Sequence, residues 1–328
     1  MECRVCNHVV NKNQLQVKEM MFGTGKSYSY FQCSFCGCLQ IGEPEKIQEN
    51  LYPSDYYSFN TYNISSITEK IKRLVVRCSV ARALGNKSIF NFLFAAKSRN
   101  GGAHALNSKI LKHAAILDVG CGDGSLIDAL SWSGYKNLIG IDPYLNRDVI
   151  KKGYKLLKKN IEELAGSENF DIIMLHHSYE HVENLFGVMQ QIKKLLKKDG
   201  VCIIRIPVSD SFAFNFYQEH WVQIDAPRHN FLHTNKSMEI ITSKCNLKIE
   251  AIVNDSTEFQ FIGSEQYKNG IALNDLRSFY IAFYKKYFFN KKHLFSGNDI
   301  KKFKKQVNVL NNEGTGDQRI YYIRKLEN

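Results

Sequence analysis

The eight residues Leu117-Asp118-Val119-Gly120-Cys121-Gly122-Asp123-Gly124 constrain the fold more than any other stretch, because an apolar strand runs through them into a glycine turn and then a helix. Residues 114–119 have the near-continuous apolar character of a parallel strand covered on both faces, and 125–132 carry apolar residues at helical spacing. Glycines at 120, 122 and 124 permit positive φ and leave no Cβ in the way, so a ligand can lie against the backbone and the helix N-terminus. A second strand, 137–141, ends in Asp142, the right distance downstream for a carboxylate that accepts hydrogen bonds from ribose hydroxyls.

The glycines alone leave the cofactor class open, since nicotinamide and flavin sites use a related G-x-G-x-x-G turn in the same setting. Asp118 and the whole phrase ILDVGCGDG narrow it, for they resemble the first motif of class I S-adenosylmethionine-dependent methyltransferases. Residues 170–175, followed by His176-His177-Ser178-Tyr179-Glu180-His181-Val182, are similar to that family's fourth strand and turn, and 199–207 to its fifth strand. The resemblance implies an α/β fold: a Rossmann-like seven-stranded sheet, a small N-terminal zinc ribbon and a helical C-terminal insertion. The sheet should close with an antiparallel pair, 319–324 against 247–253. The resemblance also implies S-adenosylmethionine as cofactor, held by Asp118, Gly120, Cys121, Gly122, Gly124 and Asp142, with Asn160, Ile161 and His176 beside them. Cys121 reads as a small packing residue rather than a reactive thiol.

Two C-x-x-C units, Cys3/Cys6 and Cys33/Cys36, can supply four thiolates to one tetrahedral Zn²⁺, with short strands at 15–17 and 29–32 closing the ribbon. His8 and Cys38 are spare ligands. The metal reads as structural, because so small a segment holds too little core to fold unaided. Paired spacing and five scattered thiols point to a reducing compartment rather than a disulfide framework. No segment has the apolar length of a membrane span and the N-terminus lacks a signal-peptide core, so a cytoplasmic location is expected. The expected organisation is a ribbon over 1–50, a tyrosine-rich loop and helical connection over 51–105, and a methyltransferase domain over 106–328 interrupted by an insertion at about 264–312. The loop at 51–59 is either a flap near the cofactor or interdomain packing. The stretch 70–83 reads as a solvated basic helix face, with an anionic membrane surface as the alternative.

Chemistry in a doubly wound sheet belongs at the carboxyl ends of the strands, which points to 176–181. His177, Glu180 and His181 are the catalytic candidates: His177 and His181 share a face if the chain turns helical there, and imidazole titrates near neutrality. A catalytic base and a divalent-metal site both remain open. The quinone-biosynthesis methyltransferases that the chain resembles use acids and a histidine here for metal. His177 replaces their first acid, which disfavours Mg²⁺. A purely structural turn is the third reading. Trp221, with Asp225-Ala226-Pro227-Arg228-His229, resembles a segment of a methyltransferase subgroup from bacterial surface-polysaccharide and secondary-metabolite clusters. In the acceptor site Trp221 would offer a stacking face and Arg228 a fork for phosphate or carboxylate, with His229 beside them; Arg228 could instead only pair with Asp225.

The implied reaction is methyl transfer to a hydroxyl, or a carbon, of a sugar, nucleotide-linked sugar or related small metabolite. The net charge of +12 comes mostly from dispersed lysines, densest at 285–305, and reads either as an ordinary lysine-rich surface or as one suited to an anionic small-molecule partner rather than nucleic acid. An RNA or tRNA methyltransferase is the first rival, although no Asn/Asp-Pro-Pro-Tyr-like motif follows the fourth strand. A catalytically silent scaffold that keeps the fold is the second.

Overall fold

The computed structural model describes residues 1–10, 14–43, 67–85, 101–106, 111–164, 166, 169–279 and 294–326. Three short strands open the chain: β1 (Gln14–Lys18), β2 (Ser27–Gln32) and β3 (Leu39–Ile41), an antiparallel meander close to the expected ribbon strands. Helices α1 (Ile67–Ala83) and α2 (Gly101–Ala105) follow. The main sheet then begins with β4 (Ala115–Val119), helix α3 (Ser125–Trp132), β5 (Asn137–Ile141), β6 (Val149–Lys151), β7 (Tyr154–Leu157) and β8 (Phe170–His176). Helix α4 (Leu185–Leu195), β9 (Leu196–Pro207), helix α5 (Phe212–Tyr217), β10 (Phe231–Leu232) and helix α6 (Asn235–Lys244) come next. Strand β11 (Leu247–Asn254), helices α7 (Phe259–Lys268) and α8 (Gly297–Glu313), and β12 (Gln318–Lys325) follow among the described residues.

The main sheet runs β11-β12-β9-β8-β4-β5-β7-β6. Strand β4 pairs in parallel with β5 on one side and β8 on the other, so the winding reverses there and the carboxyl ends of β4 and β8 open the crevice where ligands of such sheets bind. The closing pair is as the sequence implied: β12 lies antiparallel to β9, and β11 antiparallel to β12. Seven strands match the expected sheet and the eighth, β6, is an addition. It folds back antiparallel on β7 through Lys152-Gly153, where Gly153 takes φ 98°, a local turn that needs no apolar pattern.

Apolar layers cover both faces. Leu185, Met189 and Ile192 of α4 join Ile173, Leu175 and Ile204 on one side; Ile127 and Leu130 of α3 join Val80 of α1 and Ile116 on the other. Apolar residues of the stretch 70–83 pack inward while Lys70 and Arg82 stay exposed, and Arg77 pairs with Asp128 of α3 at 3.0 Å. Within the expected insertion, α7 and α8 stack Phe261 on Phe303, centroids 5.2 Å apart, over a third core that holds Trp221. The tyrosine-rich loop at 51–59 and residues 280–293 lie outside the described residues. Strand β10 pairs with β3, so residues from beyond 200 add a fourth strand to the N-terminal meander. Among the described residues no helix is long and apolar enough to cross a membrane.

Candidate active site

The turn after β4 needs its glycines. Gly120, Gly122 and Gly124 adopt φ of 75°, 54° and 75°. A Cβ at Gly120 would stand 2.5 Å from the Cβ of Ser178, and one at Gly124 would stand 2.4 Å from Leu156 Cδ1. The amides of Gly120 and Cys121 donate to the Ile141 carbonyl at 2.8 and 3.1 Å, and Gly122 N donates to Asp142 Oδ2 at 3.0 Å. Asp142 Oδ1 accepts from Tyr144 N at 2.9 Å, so this carboxylate braces the turn and keeps further lone pairs for a ligand. Asp118 lies buried beneath, where burial first and Asp142 second push its carboxyl up to about 7. Cys121 packs tightly, its sulfur 2.8 Å from where a Cβ on Gly140 would be.

Farther round, Asn160 is exposed and its amide donates to Glu163 Oε2 at 2.6 Å, while the Ile161 side chain is sunk in the core and leaves only backbone for a ligand. His176 ends β8 with its ring against Gly102 of α2, and both ring nitrogens are buried without a partner. Burial, then the charges of Arg205 and His177, hold it neutral, at about 3. A glycine cradle without room for Cβ atoms, a carboxylate with spare lone pairs and an imidazole with two orphaned nitrogens fit an adenosyl cofactor.

The three catalytic candidates lie close together but differ in what their polar atoms contact. His177 takes φ 52°, and its Nε2 accepts from Arg205 at 2.6 Å, because a guanidinium can only donate. With that lone pair filled, His177 cannot serve as the proton acceptor, and its expected place on one helical face with His181 is corrected. The chain makes a single 3₁₀ turn over Tyr179–His181 instead of an α-helix. The Nδ1 of His177 stands 3.3 Å from Glu180 Oε1, in ion-pair range but without hydrogen-bond geometry. Glu180 is fully buried, and neither oxygen has a hydrogen-bond partner. Burial pushes its carboxyl up, but the imidazoles of His177, His181 and His229 together outweigh this and hold it at about 2.

His181 Nδ1 lies 2.8 Å from the Arg228 carbonyl, and His229 Nδ1 lies 2.7 Å from the Gln223 carbonyl. A carbonyl only accepts, so each Nδ1 carries hydrogen and, in the neutral ring, Nε2 is the basic nitrogen. One ring nitrogen of each histidine and one Glu180 oxygen fall within 4.8 Å of one another. His229, assigned to the acceptor from sequence, therefore joins the Glu180–His181 cluster. Burial, then the His181 charge, pushes it down to about 4.

Two acceptor assignments are corrected. Trp221 is fully buried, tilted against Phe214 with Nε1 donating to Asp317 Oδ2 at 3.1 Å, so it offers no face for stacking. The α7–α8 cover, invisible locally in sequence, puts it there. Arg228 is also buried, its Nε donating to Asp225 Oδ2 at 3.0 Å and its Nη2 to Asp225 Oδ1 at 2.5 Å and Glu19 Oε1 at 3.0 Å. Its fork is taken by two carboxylates and cannot grip phosphate.

The cysteines converge. Cys3 and Cys36 sulfurs are 3.6 Å apart, Cys6 and Cys33 sulfurs 3.5 Å, and all four lie within 4.8 Å of one another. The two units share one backbone form: Asn7 N donates to Cys3 O and Gly37 N to Cys33 O, both at 2.8 Å, and Asn7 and Gly37 take positive φ of 60° and 75°. Tetrahedral Zn–S bonds of about 2.3 Å put sulfurs roughly 3.8 Å apart, so the set fits zinc. Gln40 Nε2 adds a bond to the Cys3 sulfur at 2.9 Å, an outer contact typical of metal ligands.

Sequence reasoning missed Arg205, Ser178, Glu19 and Asn230. Asn230 Nδ2 donates to the His181 carbonyl at 2.7 Å and its amide to the Glu180 carbonyl at 2.9 Å. Ser178 Oγ donates to Val119 O at 2.8 Å, tying the turn at 176–181 to β4. Adjacency could have pointed to Ser178, beside His177, and to Asn230, beside His229.

This sheet order, glycine cradle and histidine turn define a Rossmann-like methyltransferase fold. Residues 86–252, half of the chain, match the methyltransferase-domain family, and the chain belongs to that family. Among curated relatives, a ubiquinone biosynthesis O-methyltransferase of Rickettsia bellii (strain OSU 85-389) is 35% identical over 99 residues, which are 27% of this chain and 40% of that protein. Its counterpart in Pelagibacter ubique (strain HTCC1062) is 30% identical over 108 residues, 30% and 44% of the two chains. The chain thus spans less than half the length of these relatives. Among solved structures, the cyclopropane synthase MmaA2 of Mycobacterium tuberculosis overlays with TM-score 0.42 at 14% identity, covering 84% of this chain and 93% of that one. A SAM dependent methyltransferase from Archaeoglobus fulgidus overlays with TM-score 0.39 at 18% identity, covering 65% and 86%. Overlaps this distant say nothing of substrate.

Proposed function

We propose that the chain transfers a methyl group from S-adenosylmethionine to a hydroxyl of a sugar or related small metabolite, with His181 as proton acceptor and Glu180 as its charge partner. The carrying observation is the bond from His181 Nδ1 to the Arg228 carbonyl, which leaves Nε2 basic, beside a buried carboxylate with no hydrogen-bond partner. S-adenosylmethionine supplies a methyl on a sulfonium, displaced in line by an aligned nucleophile. Glycines 120, 122 and 124, Asp118, Asp142 and His176 hold the cofactor in this reading. An oxygen acceptor requires that a proton be removed, which His181 Nε2 does, and Glu180, already ionised, stabilises the imidazolium that results. The relatives' name, O-methyltransferase, favours oxygen over carbon. A hydroxylated glycan precursor remains the acceptor class implied by the subgroup resemblance. The four cysteines hold structural zinc.

A second reading is favoured by one observation. Glu180, His181 and His229 each bring one potential ligand atom within 4.8 Å of the others, and both histidines are anchored by backbone carbonyls as metal ligands usually are. A divalent ion suited to imidazole would then orient the acceptor oxygen.

Calorimetric titration of the zinc-loaded protein with S-adenosylmethionine and, separately, NADH tests the donor. His181→Ala should retain cofactor affinity and lose about 10²–10⁴-fold in turnover. Normal turnover would end the catalytic assignment. Loss of tight Mn²⁺ or Zn²⁺ binding at a second site in His229→Ala would favour the metal reading.

A further inference from the structure

We propose that Glu19, in the cysteine-bearing N-terminal segment, is a positioning residue for His181 and acts on it through Arg228. The inference rests on the reading of His181 as proton acceptor.

Glu19 follows β1 and is 3% exposed. Its Oε1 accepts from Met21 N (3.0 Å), Phe22 N (2.9 Å) and Arg228 Nη2 (3.0 Å), and its Oε2 accepts from Thr24 N and Thr24 Oγ1, both at 3.0 Å. Five donors hold one buried carboxylate as an anion, a charge-assisted set of the strong kind. That anion fixes the guanidinium of Arg228, which Asp225 grips from the other side. The backbone of the same arginine then presents its carbonyl to His181 Nδ1 at 2.8 Å.

The neighbouring backbone repeats this two-sided pattern. Tyr30 Oη donates to the His229 carbonyl at 2.9 Å, and the Asn230 carbonyl accepts from Ile41 N at 3.2 Å and Arg4 Nη2 at 3.3 Å. From the opposite side, Asn230 grips the Glu180 and His181 carbonyls. The strip 228–230 is thus bolted to the N-terminal segment along one edge and to the catalytic turn along the other. An imidazole tautomer is set by the bond its other nitrogen makes. Moving the Arg228 carbonyl out of hydrogen-bond reach frees Nδ1–H and lets the ring exchange between tautomers.

The test reads the ring directly and needs no methyl acceptor. Long-range ¹H–¹⁵N spectra of the full, zinc-loaded chain labelled at histidine report each tautomer, with His181→Gln assigning the resonance. The wild type should show a single Nδ1–H tautomer at His181. Glu19→Gln keeps the side-chain shape but loses the charge that holds Arg228, and Arg228→Lys loses the fork while leaving the Glu19 loop bonds intact. Each should give an averaged His181 signal, while S-adenosylmethionine affinity stays within about twofold. Persistence of the single tautomer in a folded Glu19→Gln or Arg228→Lys protein overturns the proposal. So does a cofactor affinity that falls in step with the signal, or failure of both variants to fold, since each places Glu19 in general stability. If instead the tautomer responds but His181→Ala turns over normally, the coupling stands and the catalytic reading of His181 fails.

Discussion

Gly120→Ala probes the cofactor turn at its tightest point. Two costs arise at once. The residue holds φ 75°, a left-handed conformation that costs an L-residue about 1–2 kcal/mol. Its new Cβ would also lie 2.5 Å from Ser178 Cβ, an overlap that must move the turn at 176–181, and such overpacking costs about 1–3 kcal/mol. The sum, about 2–5 kcal/mol, should appear in urea unfolding as a lower midpoint with unchanged slope. A double-mutant cycle divides it. Ser178→Gly removes the obstructing Cβ and should recover the overlap portion in the Gly120→Ala background. Ser178→Ala keeps that Cβ, loses only the 2.8 Å bond to Val119 O, and should recover nothing. Destabilisation by Gly120→Ala of less than about 0.5 kcal/mol, the scatter of an uninvolved surface site, would refute the argument. Equal rescue by Ser178→Ala would refute its assignment to the Cβ.

Trp221→Phe should cost about 1–3 kcal/mol by leaving Asp317 without its indole donor, with cofactor affinity unchanged by calorimetry. Burial raises Asp317 to about 6, so its contribution to stability is full below the ordinary carboxyl range and falls as pH rises toward 6; the Trp221→Phe penalty should accordingly be larger at pH 8 than at pH 5. Asp118, raised to about 7, is protonated at pH 6 in the free protein, and a bound sulfonium amino acid should favour its ionised form. Cofactor binding at pH 6 should release protons, read from calorimetry in buffers of different ionisation enthalpy, and the release should vanish at pH 9 and in Asp118→Asn. Metal analysis should find one zinc per chain, reduced by Cys33→Ser. Chelation should lower the melting temperature, because the thiolates then lack the ion that their convergence fits.

The parallel strands and cofactor turn were legible because each depends on local signals: the apolar run at 114–119, glycines that relieve positive φ, and an acid closing the next strand. The paired cysteines declared themselves in the same way, and the structure brings their four sulfurs together. Side chains whose role depends on what covers them were not legible. Trp221 in a loop looks the same whether it faces a sugar or a core, and α7 and α8, distant in sequence, put it in a core. His177 and His181 were indistinguishable as residues of one turn, until Arg205 from β9 filled the lone pair of the first and the Arg228 carbonyl oriented the second.

Sequence by itself determined the class of fold and the place of the cofactor turn, since backbone conformation and burial pattern are properties of neighbouring residues. Tertiary structure alone decided which imidazole is basic, which arginine is already neutralised, and that the N-terminal meander shares a sheet with residues 231–232. Those outcomes turn on hydrogen bonds between residues far apart in the chain, and a hydrogen bond assigns donor and acceptor only when both partners are in place.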